Sequence, residues 1–201
     1  MRWLTSHYGF EPTPGVRLLA CSDWFPIRWS NQWVPTGDTL LAAMAGMRSG
    51  DTDHWWPYVE TVIGSSFRSE FPGINMGISN HGAGGGDRED VDSVDPHVHC
   101  MVRGLFGVTP ALHEDRLEIC PAFPSAWREA SIRTPDLSYE YRREADRVVI
   151  RIRTPQPVVK SVRANLTGSE VVTPKETESL VTLTLGPPVP APEPPAHPPT
   201  I

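Results

Sequence analysis

The sequence predicts an α+β fold in which helices come first, strands follow and a proline-rich tail closes the chain. Three observations predict it. Val98, Met101, Val102, Leu105 and Phe106 fall at i, i+3, i+4, i+7 and i+8, one apolar stripe at the helical period. About thirty residues on, the period changes to two, with Leu137, Tyr139 and Tyr141 alternating against Ser138, Glu140 and Arg142. Residues 186–201 then hold eight prolines and no apolar periodicity, the composition of an extended, disordered tail.

Residues 1–36 mix Pro, Trp and polar residues with little periodicity, so they read as loop apart from a short helix at 16–21. The first clear helix spans 38–48, where Leu40, Leu41, Met44 and Met47 share one side and Gly50 stands just past the end. A second, 53–68, carries Trp55, Trp56, Val59, Val62, Ile63 and Phe67 as its stripe. Pro57 requires a first-turn position in it, having no N–H to give. Residues 71–94 form a long loop with Gly-Ala-Gly-Gly-Gly at 82–86 and the acids Asp87, Glu89, Asp90 and Asp92. Loops longer than about 15 residues within a domain tend to be functional or disordered, which makes this one the best candidate site. Asp95 as N-cap and Pro96 in the first turn open the third helix, and Gly107 with Pro110 closes it. Strands follow at 117–120, 137–143, 147–153, 158–164 and 180–185, with Glu144-Ala145-Asp146 as the turn between the second and third. The expected domains are residues 1–110, helical; 111–185, β; and 186–201, the tail.

At 201 residues and 39% apolar content the chain has the material for a packed core. Its net charge of -6, with Lys and Arg scattered, argues against a nucleic-acid partner, which demands clustered cations against phosphates. No apolar run approaches the ~18 residues that span a bilayer. Residues 1–10 lack the basic start and apolar stretch of a secretion signal, and no membrane partner is expected. Cys21, Cys100 and Cys120 match no Cys-x-x-Cys spacing, so neither a disulfide framework nor a zinc site is predicted. His97 and His99 would point about 200° apart on a helix and share no metal. Asp90, Asp92 and Asp95 miss the Gly and Glu positions of a calcium loop, and residues 82–86 lack the Lys-Ser/Thr of a phosphate loop. No Gly-x-Ser-x-Gly elbow occurs. Neither a metal nor a cofactor is expected.

Two stretches resemble the six-hairpin glycosidases, enzymes with an (α/α)6 toroid and an attached β-sandwich. WSNQWVPTGDTLLAAMAGMRSGD, residues 29–51, is similar to the penultimate inner helix of that toroid and the loop before it. GLFGVTPAL, RLEICPAFPSAW and IRTPDLSYEY, within residues 104–141, resemble the passage from the last inner helix into the C-terminal β unit. The likeness covers about residues 22–153. It is nearest to an uncharacterised bacterial glycosidase-like family, with rhamnosidases, fucosidases and the maltose or kojibiose phosphorylases further off. The implied fold is the end portion of the toroid, about three helices, followed by an antiparallel β-sandwich-like unit. A whole ring needs roughly 350 residues of paired helices. The chain is therefore expected to be the C-terminal part of a longer enzyme, partnered by its missing N-terminal part and inactive in isolation.

In such a toroid, the resemblance implies, an oligosaccharide or glycoside substrate binds where loops lead into the inner helices, here residues 22–36 and 71–94. Both loops carry what sugars need: flat aromatic faces for C–H surfaces, with amides or carboxylates for hydroxyls. The candidate substrate-binding residues are Trp24, Trp29 and Trp33 in the first loop and Asn80 and His81 in the second. Glycoside hydrolysis takes two carboxyls, one protonating the leaving oxygen and one acting as base or nucleophile. Asp87, Glu89 and Asp95 are the candidate catalytic acids. Plain alternatives stand beside them, packing for the tryptophans and capping for Asp95. Three functions stay open: a glycoside hydrolase, a glycoside phosphorylase with Ser30 and Asn31 near a phosphate-binding loop, and a non-catalytic carbohydrate-binding module.

Overall fold

Helix-period spacing and turn residues dictate most of the element order. The computed structural model describes residues 2–11, 17–19, 34–68, 77–78, 94–163 and 169–185. A short helix, α1 (Arg2–Tyr8), leads to β1 (Gly9–Phe10), β2 (Leu18–Leu19) and β3 (Val34–Pro35). Then come α2 (Thr36–Arg48), α3 (Thr52–Arg68), β4 (Gly77–Ile78) and α4 (Val94–His99). The helix expected at 16–21 is replaced at Leu18–Leu19 by a strand paired antiparallel with β1, Gly9 opposite Leu19. Pairing with β1 gives the backbone groups of this segment their partners. The described residues fall into two units, one within Met1–Met47 and Asp53–Met101, the other of Arg48–Thr52 with the residues within Val102–Val189.

In the first unit α2 buries Leu40, Ala43 and Met47, and α3 buries Trp55, Tyr58, Val59 and Val62. The α3 stripe is rotated from the expected one: Tyr58 and Ser66 lie inside and Phe67 is 65% exposed. Pro57 stands past the first turn rather than in it. The helix continues through the lost N–H, and the Thr61 hydroxyl donates to the Pro57 carbonyl at 2.8 Å. Gly46 lets the two helices meet, since a Cβ there would lie 2.1 Å from Trp55 Nε1.

The third predicted helix is only partly α-helical, because α4 runs into a π-helical segment, Cys100–Leu105. A π-turn takes up an extra residue and shifts the phase of the stripe. Cys100, Leu105 and Phe106 are buried as a result, while Val98 is 56% exposed.

The second unit is a six-stranded mixed sheet of β5 (Val108–Ala111), β6 (Arg116–Ile119), β7 (Glu129–Thr134), β8 (Leu137–Arg143), β9 (Arg147–Arg163) and β10 (Glu170–Thr184). The order is β5-β6-β9-β8-β7, and β10 lies against β9. All pairs are antiparallel except β6 with β9. The period-two reading of 137–143 holds: Leu137, Tyr139 and Tyr141 are buried and meet Val148, Ile150 and Ile152 of β9 and Val181 and Leu183 of β10 in one apolar layer. The opposite face is solvated and carries cross-strand ion pairs, Arg151–Glu140 at 3.8 Å and Arg153–Glu178 at 3.3 Å. Aromatic rings complete the buried side. Phe106 meets Tyr139 and Phe123 edge-on, and Phe123 stacks on Trp127 with 19° between planes.

Candidate functional site

Of the residues singled out from the sequence, Trp24, Trp29, Trp33, Asn80, His81, Asp87 and Glu89 lie outside the described residues, as do Ser30 and Asn31. Asp95 is described: it stands exposed in the first turn of α4, where its carboxylate complements the helix N-terminus. Among the described residues no three His, Cys, Asp or Glu side chains converge on a metal-sized site.

The structure joins the two candidate loops at one point. β3 ends the first loop and β4 lies within the second, and they pair antiparallel, Val34 opposite Ile78 and Pro35 opposite Gly77. Residues distant in sequence are thereby fixed to each other by backbone pairing, just ahead of α2. Pro35 has no N–H for a ladder, which is tolerated in so short a pair.

A polar cluster in the same unit was not legible as a site. Its base is α3, where His54, Tyr58 and Thr61 recur at i, i+4 and i+7 beside the apolar stripe. Thr5 of α1 donates its hydroxyl hydrogen to the Arg2 carbonyl at 2.9 Å and lies 2.8 Å from His54 Nε2. With that hydrogen committed, Thr5 Oγ1 accepts from His54, so the imidazole carries its proton on Nε2. The Tyr58 hydroxyl bonds both Thr5 and Arg17. Burial pushes the Tyr58 phenol up from its usual value, with Arg17 pulling the other way. It is neutral at pH 7. Arg17 is held twice more, its amide donating to Thr61 Oγ1 at 3.0 Å and its guanidinium pairing with Glu11 at 2.9 Å. Gly9 makes room for the phenol, because a Cβ there would come within 2.7 Å of Tyr58 Oη and 2.3 Å of the Thr5 carbonyl. The available signal was the polar i, i+4, i+7 row on an amphipathic helix, which the apolar stripe of tryptophans and valines outweighed.

No family model and no curated protein matches the chain. Among solved structures it is similar to one described as "Putative kojibiose phosphorylase from human microbiome", with a TM-score of 0.43 and 11% sequence identity. That likeness covers 80% of this chain and 20% of the other, so the chain spans about a fifth of the length of the structure it matches.

Proposed function

We propose that the chain is part of a carbohydrate-active enzyme that hydrolyses glycosidic bonds with paired carboxylates, contributing two substrate loops and a β unit. The observation that carries the reading is the β3–β4 pairing. It pairs Val34–Pro35, which follow Trp24, Trp29 and Trp33 in sequence, with Gly77–Ile78, which precede Asn80, His81, Asp87 and Glu89. Stacking faces and hydroxyl-binding groups are useful only together, and a backbone pair between the loops supplies that constraint at no cost in side chains. In this reading the tryptophans and the Asn80–His81 pair hold the sugar. One of Asp87, Glu89 and Asp95 supplies the base or a substrate-binding carboxylate, and the general acid is not among the residues assigned here.

Release of nitrophenol from aryl glycosides by the longer enzyme of which the chain is proposed to be part, followed with and without added phosphate, tests the proposal. Turnover without phosphate that falls at least about a hundredfold in one of Asp87→Asn, Glu89→Gln and Asp95→Asn fits hydrolysis with that carboxylate. Turnover that requires phosphate makes the activity phosphorolysis. Oligosaccharide binding without turnover makes the chain a binding module, and unchanged turnover in all three variants removes the acid assignment.

A further inference from the structure

Among the described residues three strands stand at the edges of the mixed sheet: β5, β7 and β10. An edge strand leaves every second pair of backbone N–H and C=O groups without a partner, and proteins blunt such rows with charge, proline, bulges or short length. β5 is four residues long and holds Pro110. β7 is six long and carries Glu129 and Arg133 in exposed positions. β10 is treated unequally along its length. Its first half holds Pro174 and Lys175, and its register against β9 shifts between Thr173 and Glu176 and again between Glu176 and Glu178. The second half is regular, running unbroken from Glu178 opposite Arg153 to Thr184 opposite Arg147. From Ser179 onward it has no charge, no proline and no bulge, and its other side pairs with no described strand.

The composition of this bare stretch selects its occupant. Residues 179–185 read Ser-Leu-Val-Thr-Leu-Thr-Leu, uncharged and free of Pro and Gly, which is the composition that pairs with strands of its own kind. Leu180 is 63% exposed on the outer face, while Val181 and Leu183 are buried on the inner one. The nearest charge on the strand, Glu178, is drawn to Arg153 of its own sheet at 3.3 Å. An edge with no charge to offer calls for a strand with none, and the chain itself supplies one. We infer that residues 178–184 pair antiparallel with the same residues of a second copy, across a two-fold axis at Leu180. In that register Leu180 faces Leu180 of the second copy and Glu178 faces Thr182, so no like charges meet. The pairing gives the outward backbone groups their partners and covers the exposed leucine. A contact made by one strand of about 24 Å is small, so the dimer is weak and depends on concentration. The inference is independent of the carbohydrate reading.

Sedimentation velocity of the whole chain over a series of concentrations tests the inference. The expected result is a monomer–dimer equilibrium whose dissociation constant rises at least about tenfold in Leu180→Lys and in Leu180→Glu, each of which sets like charges against each other across the axis. An equimolar mixture of the two variants, where opposite charges face each other, should dimerise again. Val172→Lys, on a residue 61% exposed but in the bulged half, should leave the equilibrium as it is in the wild type. A wild-type chain that stays monomeric overturns the inference and returns the edge to some other partner. A dimer that both Leu180 variants leave intact, or that Val172→Lys weakens as much as they do, overturns it too, because the contact then lies elsewhere. Failure of the mixture to recover the dimer overturns the axis at Leu180.

Discussion

Gly107 shows how much one residue decides in the β unit. Its φ is +67°, a region that side chains with a Cβ rarely adopt. A Cβ there would lie 1.8 Å from the Cys120 carbonyl oxygen, and Cys120 N donates to the Gly107 carbonyl at 3.0 Å. The obstruction is backbone, so nothing can swing aside. Gly107→Ala should cost about 3 kcal/mol from left-handed strain and overpacking combined, seen as a lower urea midpoint. Tyr139 is the opposite case. Its hydroxyl is buried with no hydrogen-bond partner among the described residues, and burial pushes the phenol well above its usual value. Removing that hydroxyl takes away an unmet demand without opening much space. Tyr139→Phe is expected to stabilise the chain by about 1 kcal/mol, and a lowered melting midpoint would refute the assignment of an orphaned hydroxyl.

Among the elements, β9 explains why part of the sheet was hidden in the sequence. It was read as two strands, 147–153 and 158–164, because Pro155 and Pro157 look like a break. The strand instead runs through as Arg147–Arg163, and the prolines fall where its neighbours change: β8 pairs up to Arg153 and β6 begins at Val159. No ladder there asks for their N–H. β10 has matching bulges between Thr173 and Glu178. Lys160, fully buried, donates to the carbonyls of Val158 and Glu176 at that bend. Desolvation lowers its pKa from the usual 10.5, opposed by Glu176. Below the lowered value lysine is charged in both folded and unfolded chains. Between it and 10.5 the folded chain binds fewer protons, so stability should rise with pH in that interval. Lys160→Met is expected to abolish that rise, and an unchanged slope of urea midpoint against pH would exclude Lys160 as its source.

Helices α2 and α3 and strand β8 were legible because strong periodicity and clear turn residues coincide in them. β7 was not, for its Ala130 and Ile132 are half-buried between exposed neighbours and give a weak pattern. The π-helical turn was also hidden, since Val98 and Leu105 keep the helical period in sequence while the added residue per turn separates them in space.

For the whole molecule, the α+β reading stands: a helical unit and a unit built on a mixed sheet, each with its own buried layer. Little of the candidate site could be read beyond its loops. The acids and tryptophans stand out by chemistry and position, whereas the β3–β4 pairing depends on a contact between distant residues that no local pattern announces. The carbohydrate proposal depends on the two loops acting as one surface. The most direct measurement is therefore the oligosaccharide affinity of the wild-type chain against Ile78→Pro, which removes a backbone N–H and restricts the chain inside the β3–β4 pair. The account predicts affinity at least about tenfold weaker with the β unit melting unchanged. Equal affinity in the two proteins would contradict it.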